Sequence, residues 1–342
     1  MARVLWDSSR RQSLQGPLPS RLAGRGQGWA ESGTLPSMLN PFKQPELIKA
    51  EVFASMPGKF RNKRRTEWAH HNRQGAEVDS FLEGPSFDRA GRLYFVDIPF
   101  GRIFRITTAG DWELVTQYDG WPNGLKLHKD GRIFIADYRR GLMKLDPGSG
   151  AVEPVLETAY SEGFKGLNDL HFASNGDLYF TDQGQTGIAD PSGRVFRLRA
   201  DGGLDRLAAN VPSPNGITLN GRNNQVYVAA TRSQQIWRLP LMADGQPAKT
   251  GVAIQLSGGH AGPDGIEMDA EDGLVICHLG IGIWRFDANC LPTHLVHADG
   301  HRLMTNIAFG GDGRTLYITD SLNGEILTAR MPVAGKPMYG LS

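Results

Sequence analysis

Six segments of the chain set an oxygen-bearing side chain just ahead of a short apolar run. They are Glu83 in Leu82-Glu83-Gly84-Pro85, Asn123 in Pro122-Asn123-Gly124, and Asn168 in Leu167-Asn168-Asp169. Asn215 in Pro214-Asn215-Gly216, Asp264 in Gly262-Pro263-Asp264-Gly265 and Asn306 in Thr305-Asn306-Ile307 complete the set. Carboxylates and amide oxygens are hard donors, suited to Ca²⁺ or Mg²⁺ rather than to thiolate-seeking metals. Glu83, Asn215 and Asp264 offer two carboxylates and one amide, and Asn123, Asn168 and Asn306 would complete a shell directly or through water. An Asx-Gly pair at a strand start commonly caps its own turn, so any one asparagine alone argues little. Six in one register, two of them acids, argue for a ring of ligands.

Such a ring needs a repeating scaffold. The six segments return at intervals of about 40 to 50 residues, a repeat that points to propeller blades. Each is followed by a turn such as Asp130-Gly131, Asn175-Gly176, Asp272-Gly273 or Asp312-Gly313, the dipeptides that favour hairpins. A second apolar strand comes next, as in Leu93-Tyr94-Phe95-Val96 or Leu178-Tyr179-Phe180-Thr181, then a third and a less regular fourth. The pattern predicts an all-β fold, a six-bladed β-propeller over residues 43–342, preceded by a disordered extension at 1–42 in which Met38 is a candidate natural start. The last unit lacks an outer strand, and Leu47 to Phe53 is a spare one upstream. It is expected to close the ring by pairing into the last blade, leaving no open edge. The first strand of each blade lines the channel, so all six polar residues converge at one mouth. Asp97, Asp137, Asp182 and Asp320 recur at the ends of second strands and read as structural turn-bonding residues.

Composition excludes several other classes. The chain carries 40% hydrophobic and 21% charged residues with a net charge of +1, which gives no electrostatic case for nucleic acid or a membrane surface. Two cysteines, Cys277 and Cys290, imply no disulfide framework. No apolar run is long enough for a transmembrane helix, and the N-terminus has no secretory core. The expectation is a cytoplasmic enzyme, monomeric or weakly self-associating, acting on a small molecule. No His-Glu-x-x-His or Gly-x-Ser-x-Gly motif occurs, which argues against zinc-peptidase and serine-hydrolase chemistry.

The motifs Glu83-Gly84-Pro85, Asn168-Asp169, Pro214-Asn215-Gly216 and Pro263-Asp264-Gly265 resemble those of the gluconolactonase, regucalcin (senescence marker protein) and luciferin-regenerating enzyme family, in the family's order. The resemblance covers roughly residues 46 to 335 and implies a six-bladed propeller with one catalytic divalent cation. It makes Glu83, Asn215 and Asp264 the metal ligands, with Ca²⁺ favoured over Mg²⁺, Mn²⁺ and Zn²⁺. It turns Asn168 towards the substrate, sets Asp169 in support and makes Asp264 the general base. The family's sugar-lactone members with an arginine two residues before the motif asparagine use it on substrate hydroxyls, and this chain has Gly166 there. Either Lys165 stands in or the substrate is less hydroxylated, and Asn123, Gln183 and Gln185 are further candidates for substrate contacts.

A lactone carbonyl on a divalent ion is polarised and its oxyanion stabilised, and Asp264 can take a proton from the attacking water. The reading is therefore a metal-dependent lactone hydrolase. The rivals are phosphotriester hydrolysis at the same site and a non-catalytic calcium-binding or interaction propeller. Trp121 is either blade packing or a pocket wall, His278 stands where other blades end in aspartate, and residues 57–80, with Trp68 to His71, are a candidate lid.

Overall fold

The computed structural model describes residues 43–341, so the expectations for residues 1–42, including the start at Met38, lie outside the described residues. Six antiparallel sheets follow one another along the chain. Blade I comprises Leu82–Phe87, Leu93–Asp97, Arg102–Ile106 and Trp112–Gln117. Blades II, III and IV begin with inner strands Pro122–Leu127, Leu167–Phe172 and Pro214–Leu219, each followed by three strands stepping outwards. Blade V starts at Gly262–Met268 and blade VI at Met304–Phe309. The six-bladed β-propeller expected from the repeat is the fold observed.

The core lies between blades. Tyr94, Val96 and Ile103 of blade I meet Leu125, Ile133 and Ile135 of blade II, all essentially inaccessible to solvent. Both faces of a strand are thus buried, which explains the near-continuous apolar runs. Each fully buried Leu, Ile or Phe side chain contributes roughly 1.5–3 kcal/mol.

Closure uses two strands where one was expected. Glu51–Ser55 pairs antiparallel with Glu325–Arg330 and completes blade VI, as the spare strand should. Glu46–Lys49 pairs instead, parallel, with Pro292–His297 at the outside of blade V. The break falls at Ala50, buried, whose N–H donates to the His297 carbonyl at 2.7 Å. One ten-residue stretch cannot follow two sheets that splay apart, so it hinges and covers an edge of each.

Past Arg330 the chain turns back across the far mouth of the channel. Lys336 N donates to Met268 O at 2.9 Å, and its ammonium reaches inwards to Leu219 O at 2.6 Å. The channel is therefore open to chemistry at one end only. Truncating the protein to begin at Met56 should bare the edges of blades V and VI together, lower the melting temperature by about 10 °C or more, and promote aggregation. Calorimetry and light scattering against the full chain check this; an unchanged melting temperature would refute the closure.

Candidate active site at the propeller axis

Every inner strand slips register against its neighbour beside its first polar residue: between Glu83 and Ser86 in blade I, Leu167 and Leu170 in blade III, and Pro263 and Ile266 in blade V. Such a bulge re-aims the side chain at that point, here towards the axis. Hydroxyls of the preceding blade stitch these strand ends in place. Thr181 Oγ1 donates to Asn215 O at 2.7 Å, Thr231 Oγ1 to Pro263 O at 2.7 Å, and Ser321 Oγ to Leu82 O at 2.5 Å.

Glu83, Asn123, Asn168, Asn215 and Asp264 occupy equivalent positions of five blades, as read from the sequence. Asn306 does not. Its N–H bonds Thr319 Oγ1 at 3.0 Å and its Oδ1 accepts from Ile307 N at 2.8 Å; Asp169 makes the same pair with Thr181 and Leu170. Asn306 is thus the counterpart of Asp169, one residue deeper, and Thr305 holds the sixth axial position. In the other blades that deeper row is glycine, because the neighbouring inner strand passes too close for a side chain. A Cβ on Gly265 would lie 2.3 Å from Asn306 Oδ1, and one on Gly124 would lie 2.7 Å from Asp169 Oδ1. Asp169 and Asn306 fill the space those glycines leave.

The result is an acid cluster. Glu83, Asp169 and Asp264 are all buried, from alternate blades. Burial, then the charges of Asp264 and Asp169, push the Glu83 carboxyl well above the usual carboxylate range, against the Asn306 and Gly84 hydrogen bonds. Asn306 Nδ2 donates to Glu83 Oε2 at 2.8 Å. Asp264 is pushed up to about 7 by burial, a shift countered by its bond to the Asn215 amide and reinforced by the Asp169 charge. Asp169 rises to about 6 through burial, offset chiefly by the Lys126 ammonium.

Beneath this cluster lies a buried ionic layer. Lys126 Nζ meets Glu267 Oε1 at 2.5 Å, and Lys336 Nζ reaches His171 Nε2 at 3.1 Å. The inner strands and the C-terminal return thus bring four carboxyl groups (Glu83, Asp169, Asp264, Glu267) and two amines, Lys126 and Lys336, into one channel, with acids in excess. Glu83, Asn215 and Asp264 supply oxygen donors only, which fits a hard cation. Among the described residues no group of three or more His, Cys, Asp or Glu could by itself hold a metal, so the set depends on the Asn215 amide.

The amides around the mouth are oriented. Asn168 Nδ2 donates to Gln183 Oε1 at 2.9 Å, and Gln183 Nε2 donates to Ser213 Oγ at 2.9 Å. Gln183, expected to touch substrate, instead spends both ends of its amide on the protein and positions Asn168, whose Oδ1 is left as an acceptor. Asn123 is half-buried with its amide uncommitted. Lys165 is exposed on the rim, and its recorded hydrogen bond is from its backbone N to Asp182 Oδ1 at 2.7 Å.

Gly166 has no room for an arginine. A Cβ there would sit 2.7 Å from the Tyr138 ring, which fills the space and is held by Gln185 Nε2 at 2.9 Å from its hydroxyl. Tyr138 was not singled out from the sequence; the glycine at 166 was its only trace. Trp121 packs against the blade I–II core and lies 6.1 Å from Tyr138, so it serves as both packing and wall. His278 is buried, with Nδ1 accepting from Trp284 and Nε2 bonded to Gly258 O, so neither nitrogen is free. Asp97, Asp182 and Asp320 bond loop N–H groups and the arginines Arg102, Arg194 and Arg302, the structural role expected of them. Asp137 does the same through Tyr118 and the Arg139 and Arg140 N–H groups.

Residues 57–80 form a strap on this face. Arg61 bonds Asn323 O of blade VI at 2.7 Å, and Arg102 of blade I bonds Phe60 O at 2.7 Å. Helix α1, Glu67–Asn72, is capped by Thr66 and meets Arg139 of blade II and Gln185 of blade III.

The fold and its acid-lined axial mouth are those of a six-bladed β-propeller. The chain belongs to the SMP-30/Gluconolactonase/LRE-like family, whose model matches residues 81–322. A gluconolactonase of Zymomonas mobilis is 33% identical over 220 residues, covering 59% of this chain and 61% of that protein. The lactonase drp35 of Staphylococcus aureus is 28% identical over 227 residues, covering 63% and 67%. A calcium-binding regucalcin of Agrobacterium tumefaciens has the same fold, with a TM-score of 0.65 at 19% identity over 86% of this chain and 99% of that one.

Lys126 is the cation that makes the acid cluster tolerable. Lys126→Ala should leave Glu267 buried without its partner and cost about 3–5 kcal/mol of stability, as breaking buried ion pairs does. Guanidinium unfolding of the two proteins measures it; a loss under 1 kcal/mol would show the layer to be dispensable.

Proposed function

We propose that the protein is a metal-dependent lactonase, opening a sugar lactone or related cyclic ester at the axial mouth. The observation that carries this is the convergence of Glu83, Asn215 and Asp264 at the acid-rich mouth of the channel. The names of the Zymomonas and Staphylococcus relatives point to lactones, and the regucalcin neighbour favours Ca²⁺ among the usable ions. Glu83, Asn215 and Asp264 would hold the cation. Once bound, it supplies a Lewis acid that polarises the carbonyl and acidifies water.

The remaining work falls to side chains. Asp264 takes the proton of the water that attacks the carbonyl carbon and returns it to the ring oxygen as the C–O bond breaks, leaving a hydroxy acid. Asn168 accepts from a substrate hydroxyl with the oxygen that Gln183 leaves free, and Asn123 offers a second amide. Tyr138 and Trp121 form the apolar wall for the ring. Asp169, pinned by Lys126 and Asn306, holds the negative potential beneath the site.

The test is lactone hydrolysis by protein stripped with a chelator and then supplied with Ca²⁺, Mg²⁺, Mn²⁺ or Zn²⁺. Wild type should regain activity with at least one ion, and Asp264→Ala should fall by about 10²–10⁴-fold in kcat. Chelator-insensitive hydrolysis, or a fully active Asp264→Ala protein, would overturn the reading.

A further inference from the structure

Beside the mouth lies a cavity of about 240 Å³ whose wall includes Arg73, His260, His297, His301 and Arg302. It follows the sector from blade V to blade I. Its His278 pairs with Pro263, next to Asp264; its Met304 precedes the axial Thr305; and Arg73 stands over the ring of Phe81, two residues before Glu83.

No carboxylate lines this cavity. Arg302 is committed to Asp320 and Glu325 behind it. Arg73 makes no ion pair with any carboxylate among the described residues, although it is only half-exposed and burial lowers its pKa. It is nevertheless fixed: its guanidinium carbon sits 5.3 Å from the Phe81 ring centre, and its N–H caps α1 on Ala69 O at 2.8 Å. A cation over an aromatic face keeps its in-plane N–H groups for another partner. Around it, the rings of His260, His297 and His301 bond no protein group among the described residues, and each can present an N–H. Asp299 lies behind His297 and Arg302 but outside the lining, so a guanidinium without a counter-charge beside three spare imidazoles is a site for an oxyanion.

We propose that this cavity is a subsite for an anionic substituent, so that the substrate is a lactone bearing a carboxylate or phosphate recognised by Arg73. The proposal rests on the lactonase reading and names its substrate class. Arg73 lies on the strap, upstream of the family-matched residues 81–322.

The experiment compares gluconate 1,5-lactone with its 6-phosphate and with the 6-carboxylate lactone of glucarate, on Ca²⁺-loaded wild type, Arg73→Ala, Arg73→Lys and the exposed control Arg65→Ala. Wild type should favour one anionic lactone by about 10-fold or more in kcat/KM, and Arg73→Ala should erase that by raising KM while leaving the neutral lactone unchanged. Arg73→Lys should restore part of the advantage, and whichever anion is preferred identifies its source. Lactone turnover without anionic preference, or an equal loss on neutral and anionic lactones, overturns the subsite and leaves the lactonase reading standing. Calorimetry with gluconate 6-phosphate, glucarate and gluconate separates the converse. If no lactone is opened but the anionic acids bind in an Arg73-dependent way, the lactonase reading fails and the subsite stands.

Discussion

Three carboxylates share one water-poor spot on the axis, and most of the structure near it exists to hold them there. Each raises the proton affinity of its neighbours, and burial raises it further. The fold answers with Lys126 below Asp169 and with Asn306, whose amide donates to Glu83.

Holding such a cluster demands a scaffold that does not yield. Hydroxyls reaching from one blade to the next pin the strand ends at Asn215, Pro263 and Leu82. Glycines at Gly124 and Gly265 let the inner strands close to within van der Waals contact, so the ring has no slack in which the acids could move apart. At the far mouth Lys336 brings a second amine into the channel, bonded to His171 and Leu219 O. Stability and site chemistry are therefore one construction.

Around the ring, the walls of the mouth come from elsewhere. Tyr138 occupies the space above Gly166, Gln183 turns Asn168, and the strap carries α1 and Arg73 across from blade I. Propellers serve many functions, since one ring can be surrounded by different loops and straps.

The repeat was legible in the sequence because hairpin turns and apolar strands recur with little variation, and a blade cannot bury its faces except against its neighbours. The positions Glu83, Asn123, Asn168, Asn215 and Asp264 followed from that repeat. Asn306 was misplaced by one residue because a bulge shifts register without leaving a mark in composition. Closure was foreseen as one strand and is two, since the angle between neighbouring sheets is a property of the assembled ring. Gln183 and Tyr138 took their roles from partners far along the chain, Ser213 and Gly166, and Arg73 from a cavity built of blades V and VI. The sequence by itself determined the blades and the ring of oxygen donors, because both rest on local patterns repeated six times. Only the tertiary structure decided which charges meet at the axis, which amides are spent and which cation is left without a partner, because those depend on contacts between residues that no local pattern joins.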